Sequence, residues 1–210
     1  MNVLLVNGSP HKNGCTNAAL DEVGRALKRE GIPVRWFWIG NQPLTGCIGC
    51  GYCAAHGKCH YEDRVNAFLD IAGHYDGFVF GAPVHFASAA ASMIAFMDRT
   101  FFVDHSAGLN LFAFKPGAAI VSARRAGTTA TLDELNKYMS YAQMPIVTSR
   151  YWNMVHGQTP EEVQEDAEGM QIMRVLGKNM AWLLKSIEAG KRAGVLLPEP
   201  EERVNTNYIR

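Results

Sequence analysis

The chain has 210 residues, 48% of them hydrophobic, which is enough to bury one sizeable core and short for two. Lysine plus arginine and aspartate plus glutamate number 20 each, so no net field draws the protein to nucleic acid or to an anionic membrane surface. No run approaches a membrane span, and the opening Val3-Leu4-Leu5-Val6 has neither the flank nor the length of a signal peptide; a cytoplasmic protein is expected.

Residues 3–6 form an apolar, β-branched run that breaks at Asn7-Gly8-Ser9-Pro10, the pattern of a buried parallel strand entering a loop. A helix is predicted from residue 16 to about 30, where Ala19, Val23, Ala26 and Leu27 recur at helical spacing and Gly31-Ile32-Pro33 stops it. Residues 34–39 read as a second strand and 77–80 as a third, followed by a helix from about 89 to 101. Residues 118–122 give a fourth strand, 131 to about 142 a helix, and 145–148 a short fifth strand. A long helix is expected from 161 to about 189, with a stripe of Met173, Leu176, Met180, Leu183 and Ile187. Strands alternating with helices in this way predict a doubly wound, five-stranded parallel α/β sheet in three layers. One domain is expected over residues 1–190 with a cysteine-rich insertion at 46–60. A tail at 191–210, Pro/Glu-rich from 197, is expected on the surface or against a neighbouring subunit.

In such a sheet ligands bind outside the carboxyl ends of the strands, where the chain order reverses. The loop after the first strand, from Gly8 to Asn17, is rich in small and hydroxylic residues and leads into a helix N-terminus, a setting that suits a phosphate. It lacks both the Lys-Ser/Thr ending of a nucleoside-triphosphate loop and a Gly-x-Gly-x-x-Gly, leaving a terminal monophosphate such as that of FMN. Turn and N-cap roles for Ser9, Pro10 and Thr16 account for the same residue types.

Five cysteines are an odd number, and four fall between Cys47 and Cys59, a poor disulfide framework that points to a reducing compartment. Cys47, Cys50, Cys53 and Cys59 are spaced C-x2-C-x2-C-x5-C. Three thiolates two residues apart can cap one cuboidal cluster from a tight loop, and the fourth closes the site. Gly46, Gly49, Gly51 and Gly57 let the backbone curl and turn N–H groups toward sulfur. Zinc also takes four thiolates, although structural zinc sites usually draw on two separated pairs, and a metal-free, substrate-covering lip is a third reading.

Gly8-Ser9-Pro10-His11-Lys12-Asn13-Gly14-Cys15-Thr16 resembles the phosphate loop of the NAD(P)H-dependent FMN reductase family. Gly81-Ala82-Pro83-Val84-His85-Phe86 with Met97-Asp98-Arg99 resembles its third-strand signature, and the likeness continues through Ser122-Ala123-Arg124-Arg125-Ala126-Gly127 and Tyr151-Trp152-Asn153. The resemblance implies a flavodoxin-like fold, bound FMN and a homodimer or homotetramer. It implies that Ser9, His11, Thr16 and Asn17 hold the phosphate, with Cys15 offering its backbone N–H. It further implies that Pro83, Val84, His85 and Phe86 run along the flavin ring, His85 replacing the usual Tyr, and that Ser122, Ala123, Arg124 and Gly127 approach its other side. The compact cysteine spacing resembles the iron–sulfur flavoprotein branch, in which these four positions hold a [4Fe-4S] cluster.

The leading expectation is an FMN oxidoreductase coupling the flavin to that cluster, with no side chain acting as nucleophile or general base. A cluster-free NAD(P)H-dependent reductase of FMN, quinones, or nitro or azo compounds is the rival, the nicotinamide donor stacking transiently on FMN. A non-catalytic carrier with a ferredoxin-like partner is a third. Arg124-Arg125 reads either as a site for the donor's phosphate or as a solvated surface pair. Trp152 reads as a flavin cover or a packing residue, and the scattered His56, His60, His74, His105 and His156 carry no assignment.

Overall fold

In the computed structural model, which describes residues 1–202 and 204–208, β1 (Val3–Asn7) is followed by α1 (Cys15–Arg29), β2 (Val34–Trp38), α2 (Tyr52–His56) and α3 (Arg64–Ala72). Next come β3 (Gly77–His85), β4 (Ser88–Ala89), α4 (Ala91–Ala107), β5 (Gly117–Ala123) and α5 (Thr128–Tyr141). The chain continues through β6 (Met154–His156), α6 (Pro160–Glu165) and α7 (Ala167–Arg192). The parallel strands lie in the order β2-β1-β3-β5-β6, and β4 folds back antiparallel on the end of β3. This is the flavodoxin-like order, which reverses between β1 and β3 and opens a crevice there at the carboxyl edge.

Alternation along the strands divides the interior into two layers. Leu4, Val6, Phe78 and Phe80 face α3, α4 and α5, whereas Val3, Leu5, Val79 and Ile120 face α1 and α7. Phe68 of α3 lies at the centre of the first layer, fully buried and packed on the rings of Phe37, Phe78, Phe80, Phe96 and Phe112. Burying a side chain of that size contributes roughly 1.5–3 kcal/mol.

Two expectations are corrected and one element is added. The fifth strand is Met154–His156, paired with β5, while the 145–148 run makes only the single bridge Gly117 to Ile146. The long C-terminal helix is broken at Asp166, whose carboxylate accepts from the backbone N–H groups of Gly169 and His156 and so starts α7 afresh. Its stripe also shifts: Leu184 is buried, and Leu183 and Ile187 are half-buried. Finally α3, absent from the sequence reading, fills the space between the cysteine segment and β3. In the tail, α7 reaches Arg192 and Val195, Leu196 and Leu197 are exposed; residues 203, 209 and 210 of the predicted tail lie outside the described residues.

Candidate functional site

The loop between β1 and α1 is held from inside. Asn7, buried at the strand end, accepts from Ser9 N at 2.9 Å and donates from Nδ2 to the Lys12 carbonyl at 3.0 Å. Ser9 Oγ in turn accepts from His11 N at 3.1 Å, and the Trp38 indole donates to the Ser9 carbonyl at 2.8 Å. The loop then delivers Gly14 in extended conformation as the N-cap of α1, with no side chain capping the first turn. The leading N–H groups of a 15-residue helix, Cys15, Thr16 and Asn17, therefore carry the positive end of its dipole at this loop. Burial pushes the Cys15 thiol up, so it stays neutral beside that end; its Sγ lies 3.7 Å from the Gly157 carbonyl beyond β6.

Two further loops close on this one. Thr16 Oγ1 and Ser122 Oγ are buried and 2.8 Å apart, tying α1 to the end of β5. Gly127, which caps α5, has φ +95°, and a Cβ there would stand 2.6 Å from Ala87 Cα and 2.8 Å from Val84 Cγ1. The 123–128 loop thus rests directly on the β3–β4 hairpin. At the hairpin tip Phe86 (φ 51°) and Ala87 (φ 62°) both adopt left-handed conformations between the paired His85 and Ser88, the geometry of a type I′ turn. A bulky residue is uncommon there, and the Phe86 ring is wholly exposed. Pro83 and Val84 are half-buried and His85 exposed; Ser122 and Ala123 are buried and Arg124 exposed. His11 is exposed and Asn17 half-buried, its amide donating to Asp21 at 3.0 Å. The sequence-predicted phosphate and ring segments thus meet at one sheet edge.

The cysteine segment follows β2 and packs against α4. Cys47, Cys50, Cys53 and Cys59 line a single cavity, together with Tyr61 and Arg99. Cys47 and Cys50 are exposed, Cys59 is half-buried, and Cys53 is buried in the core layer. Gly51, at φ +71°, turns the chain between Cys50 and α2, on which Cys53 sits. Among the described residues no three His, Cys, Asp or Glu side chains converge as a single ion requires.

Two residues that the sequence reading left unassigned organise this segment. Asn66 of α3, buried, accepts from Cys59 N at 2.8 Å and donates to the Cys59 and Tyr61 carbonyls at 3.0 and 3.1 Å. Arg99 of α4 is 1% exposed. Its Nε and Nη2 donate to Cys59 Sγ at 3.2 and 3.1 Å, and it forms an ion pair with Asp63 at 2.6 Å. The helix that carries Asn66 was signalled in sequence, since Asp63 followed by Val65, Phe68, Leu69 and Ala72 is a capped helix pattern; Arg99 had no such local signal.

The family model described as NADPH-dependent FMN reductase matches residues 1–159. An iron–sulfur flavoprotein of Methanocaldococcus jannaschii is 30% identical over 194 residues, covering 90% of this chain and all of the relative. One of Clostridioides difficile is 32% identical over 102 residues, 47% of this chain and 45% of the relative. Among solved structures, an archaeal flavodoxin superposes with TM-score 0.56 at 17% identity, covering 88% of this chain and 99% of that one. A flavone reductase superposes with TM-score 0.66 at 18% identity, covering 90% and 64%. No helix among the described residues is long and apolar enough to cross a membrane. A flavodoxin-like sheet with its loops gathered at the carboxyl edge and a family match over residues 1–159 lead to one conclusion: the chain belongs to the NADPH-dependent FMN reductase family and is a flavin-dependent oxidoreductase.

Proposed function

We propose that this oxidoreductase couples FMN to a [4Fe-4S] cluster held by Cys47, Cys50, Cys53 and Cys59, joining two-electron chemistry at the flavin to one-electron transfer. The observation that carries the reading is the donor set: four cysteine thiols on one cavity wall, one of them hydrogen-bonded by a buried guanidinium. Thiolates are the ligands such clusters take, and the relatives named iron–sulfur flavoproteins support the assignment.

FMN, when bound, accepts a hydride or an electron pair and releases electrons singly. The chain supplies position and charge. The Cys15, Thr16 and Asn17 N–H groups, with Ser9 and His11, hold the phosphate. Pro83, Val84, His85 and Phe86 line one side of the ring system, and Ser122, Ala123, Arg124 and Gly127 the other. Met93 of α4 packs on Gly8 of the phosphate loop so closely that a Cβ there would meet its sulfur at 2.4 Å. Arg99, at the cysteine cavity, lies six residues further along the same helix, a rise of about 9 Å. One helix therefore spans both sites.

NAD(P)H is the donor this reading favours, supported by the family description, with a small molecule or a ferredoxin-like protein as the one-electron partner. The free cysteines support a reducing cytoplasm. Exposed Tyr151 and Trp152, whose rings meet edge to face, support assembly into a homodimer or homotetramer. Anaerobic purification followed by flavin, iron and sulfide analysis tests the proposal. About one FMN and about four irons per chain are expected, as a cubane requires. Flavin without iron leaves a plain FMN reductase, and absence of flavin overturns the proposal.

A further inference from the structure

Arg99 is a cation enclosed by protein, and its position at the fourth cysteine has a chemical meaning. Nε and Nη2 both donate to Cys59 Sγ, at 3.2 and 3.1 Å. Nη1 and Nη2 reach the two Asp63 oxygens at 2.6 and 3.1 Å, and weaker contacts run to the Thr45 and Tyr61 carbonyls at 3.4 and 3.3 Å. The guanidinium thus ties together residues on both sides of the cysteine segment. A thiolate bound to iron accepts from charge-assisted donors, and the guanidinium aims two of them at this one sulfur.

We infer that Arg99 is a positioning residue that fixes Cys59 as a cluster ligand and, through the two N–H···S bonds, raises the reduction potential of the cluster. The inference rests on the cluster reading above. Reduction adds one electron and so one negative charge, which falls partly on the ligating sulfurs. Donors aimed at those sulfurs stabilise the reduced state more than the oxidised one. Asp63 acts in the opposite sense, because its carboxylate takes up part of the guanidinium's field and adds a negative charge beside the site.

Three variants separate this role from simple bracing of the loop. Arg99→Gln removes the charge and both sulfur contacts; Arg99→Lys keeps the charge without the fork. Asp63→Asn removes the competing anion and keeps the cap of α3, where Asp63 accepts from Val65 N at 3.0 Å, since Asn caps as well as Asp. Each protein is reconstituted anaerobically with ferrous iron and sulfide, and the cluster midpoint potential is read by electron paramagnetic resonance during a redox titration. The expected result is a lower potential in Arg99→Gln, an intermediate one in Arg99→Lys and a higher one in Asp63→Asn, with FMN content unchanged. Should Arg99→Gln fail to fold, the upward shift in Asp63→Asn carries the test. Potentials equal to the parent's, or shifts of the same sign in the Arg99 and Asp63 variants, overturn the inference. A parent protein that keeps FMN yet takes up no iron defeats the cluster reading itself, and is distinguished by its iron content.

Discussion

The hydroxyls of Thr16 and Ser122 lie 2.8 Å apart, buried, and join residues 106 positions apart in the chain. Each satisfies the other, and together they bring the first turn of α1 to the end of β5. Thr16→Ala leaves Ser122 without this partner, at a cost of about 1–3 kcal/mol, and lets the phosphate loop move away from the loop that faces it. Urea unfolding is expected to report that loss, and fluorescence titration to report FMN binding weakened by roughly tenfold, the equivalent of 1.4 kcal/mol. Thr16→Ser restores both. In a double-mutant cycle Thr16→Ala and Ser122→Ala are expected to couple rather than add.

Phe86 combines a left-handed backbone with a fully exposed ring. A residue kept in that conformation by no buried contact points to use of the ring by a ligand or partner. Phe86→Asn places a residue that favours type I′ turns at this position. The expected outcome is opposite in sign for stability and binding: stability rises by about 1 kcal/mol, the low end of the cost of the left-handed conformation, while FMN affinity falls. Differential scanning calorimetry and FMN titration on the same preparation check both.

Glu22 of α1 is buried and accepts from Arg25 on its own helix and Arg174 on α7. Burial opposes its charge, but the hydrogen bonds from Arg25 and Arg174 outweigh it and hold the carboxyl below the usual glutamate value. A carboxylate depressed in the folded state contributes stability above its unfolded pKa and loses it as pH falls through the folded one. Melting temperature is therefore expected to drop on acidification across that window, with a shallower acid limb in Glu22→Gln. Since both arginines are partly exposed, the neutral-pH cost of the substitution is expected near 1 kcal/mol.

The sequence made the sheet legible where strands are long and apolar. Val3 to Val6, the 77–80 run and the 118–122 run each stand in the structure, extended by one to five residues at their ends. It misled at the edge, where few pairings constrain the chain. Pro145 to Thr148 has the composition of a strand, yet the ladder forms at Met154–His156, three residues that composition hardly distinguishes. Asp166 was hidden because a single cap inside an otherwise continuous helical stripe leaves the periodicity nearly intact.

At the candidate site, the segment from Ser9 to Asn17 could be named from local chemistry and those from Pro83 to Phe86 and Ser122 to Gly127 from the family resemblance, and the fold brings them to one edge. Arg99 could not. It and Cys59 are 40 residues apart, and nothing local to α4 distinguishes a guanidinium that snorkels to water from one that turns inward onto a sulfur. Asn66 is a comparable case, since its three contacts to the backbone at Cys59 and Tyr61 depend on α3 folding back over the cysteine segment.

Cys50 is exposed and sits on the cavity wall with the other three thiols. The central claim is most directly tested by reducing anaerobically reconstituted parent and Cys50→Ser proteins with dithionite and recording low-temperature electron paramagnetic resonance alongside FMN content. A reduced-cluster signal in the parent, its loss or clear alteration in Cys50→Ser, and equal FMN in both are expected. A parent with FMN but no cluster signal and no bound iron, or an unaltered signal in Cys50→Ser, would contradict the coupling of flavin to a cluster at these four cysteines.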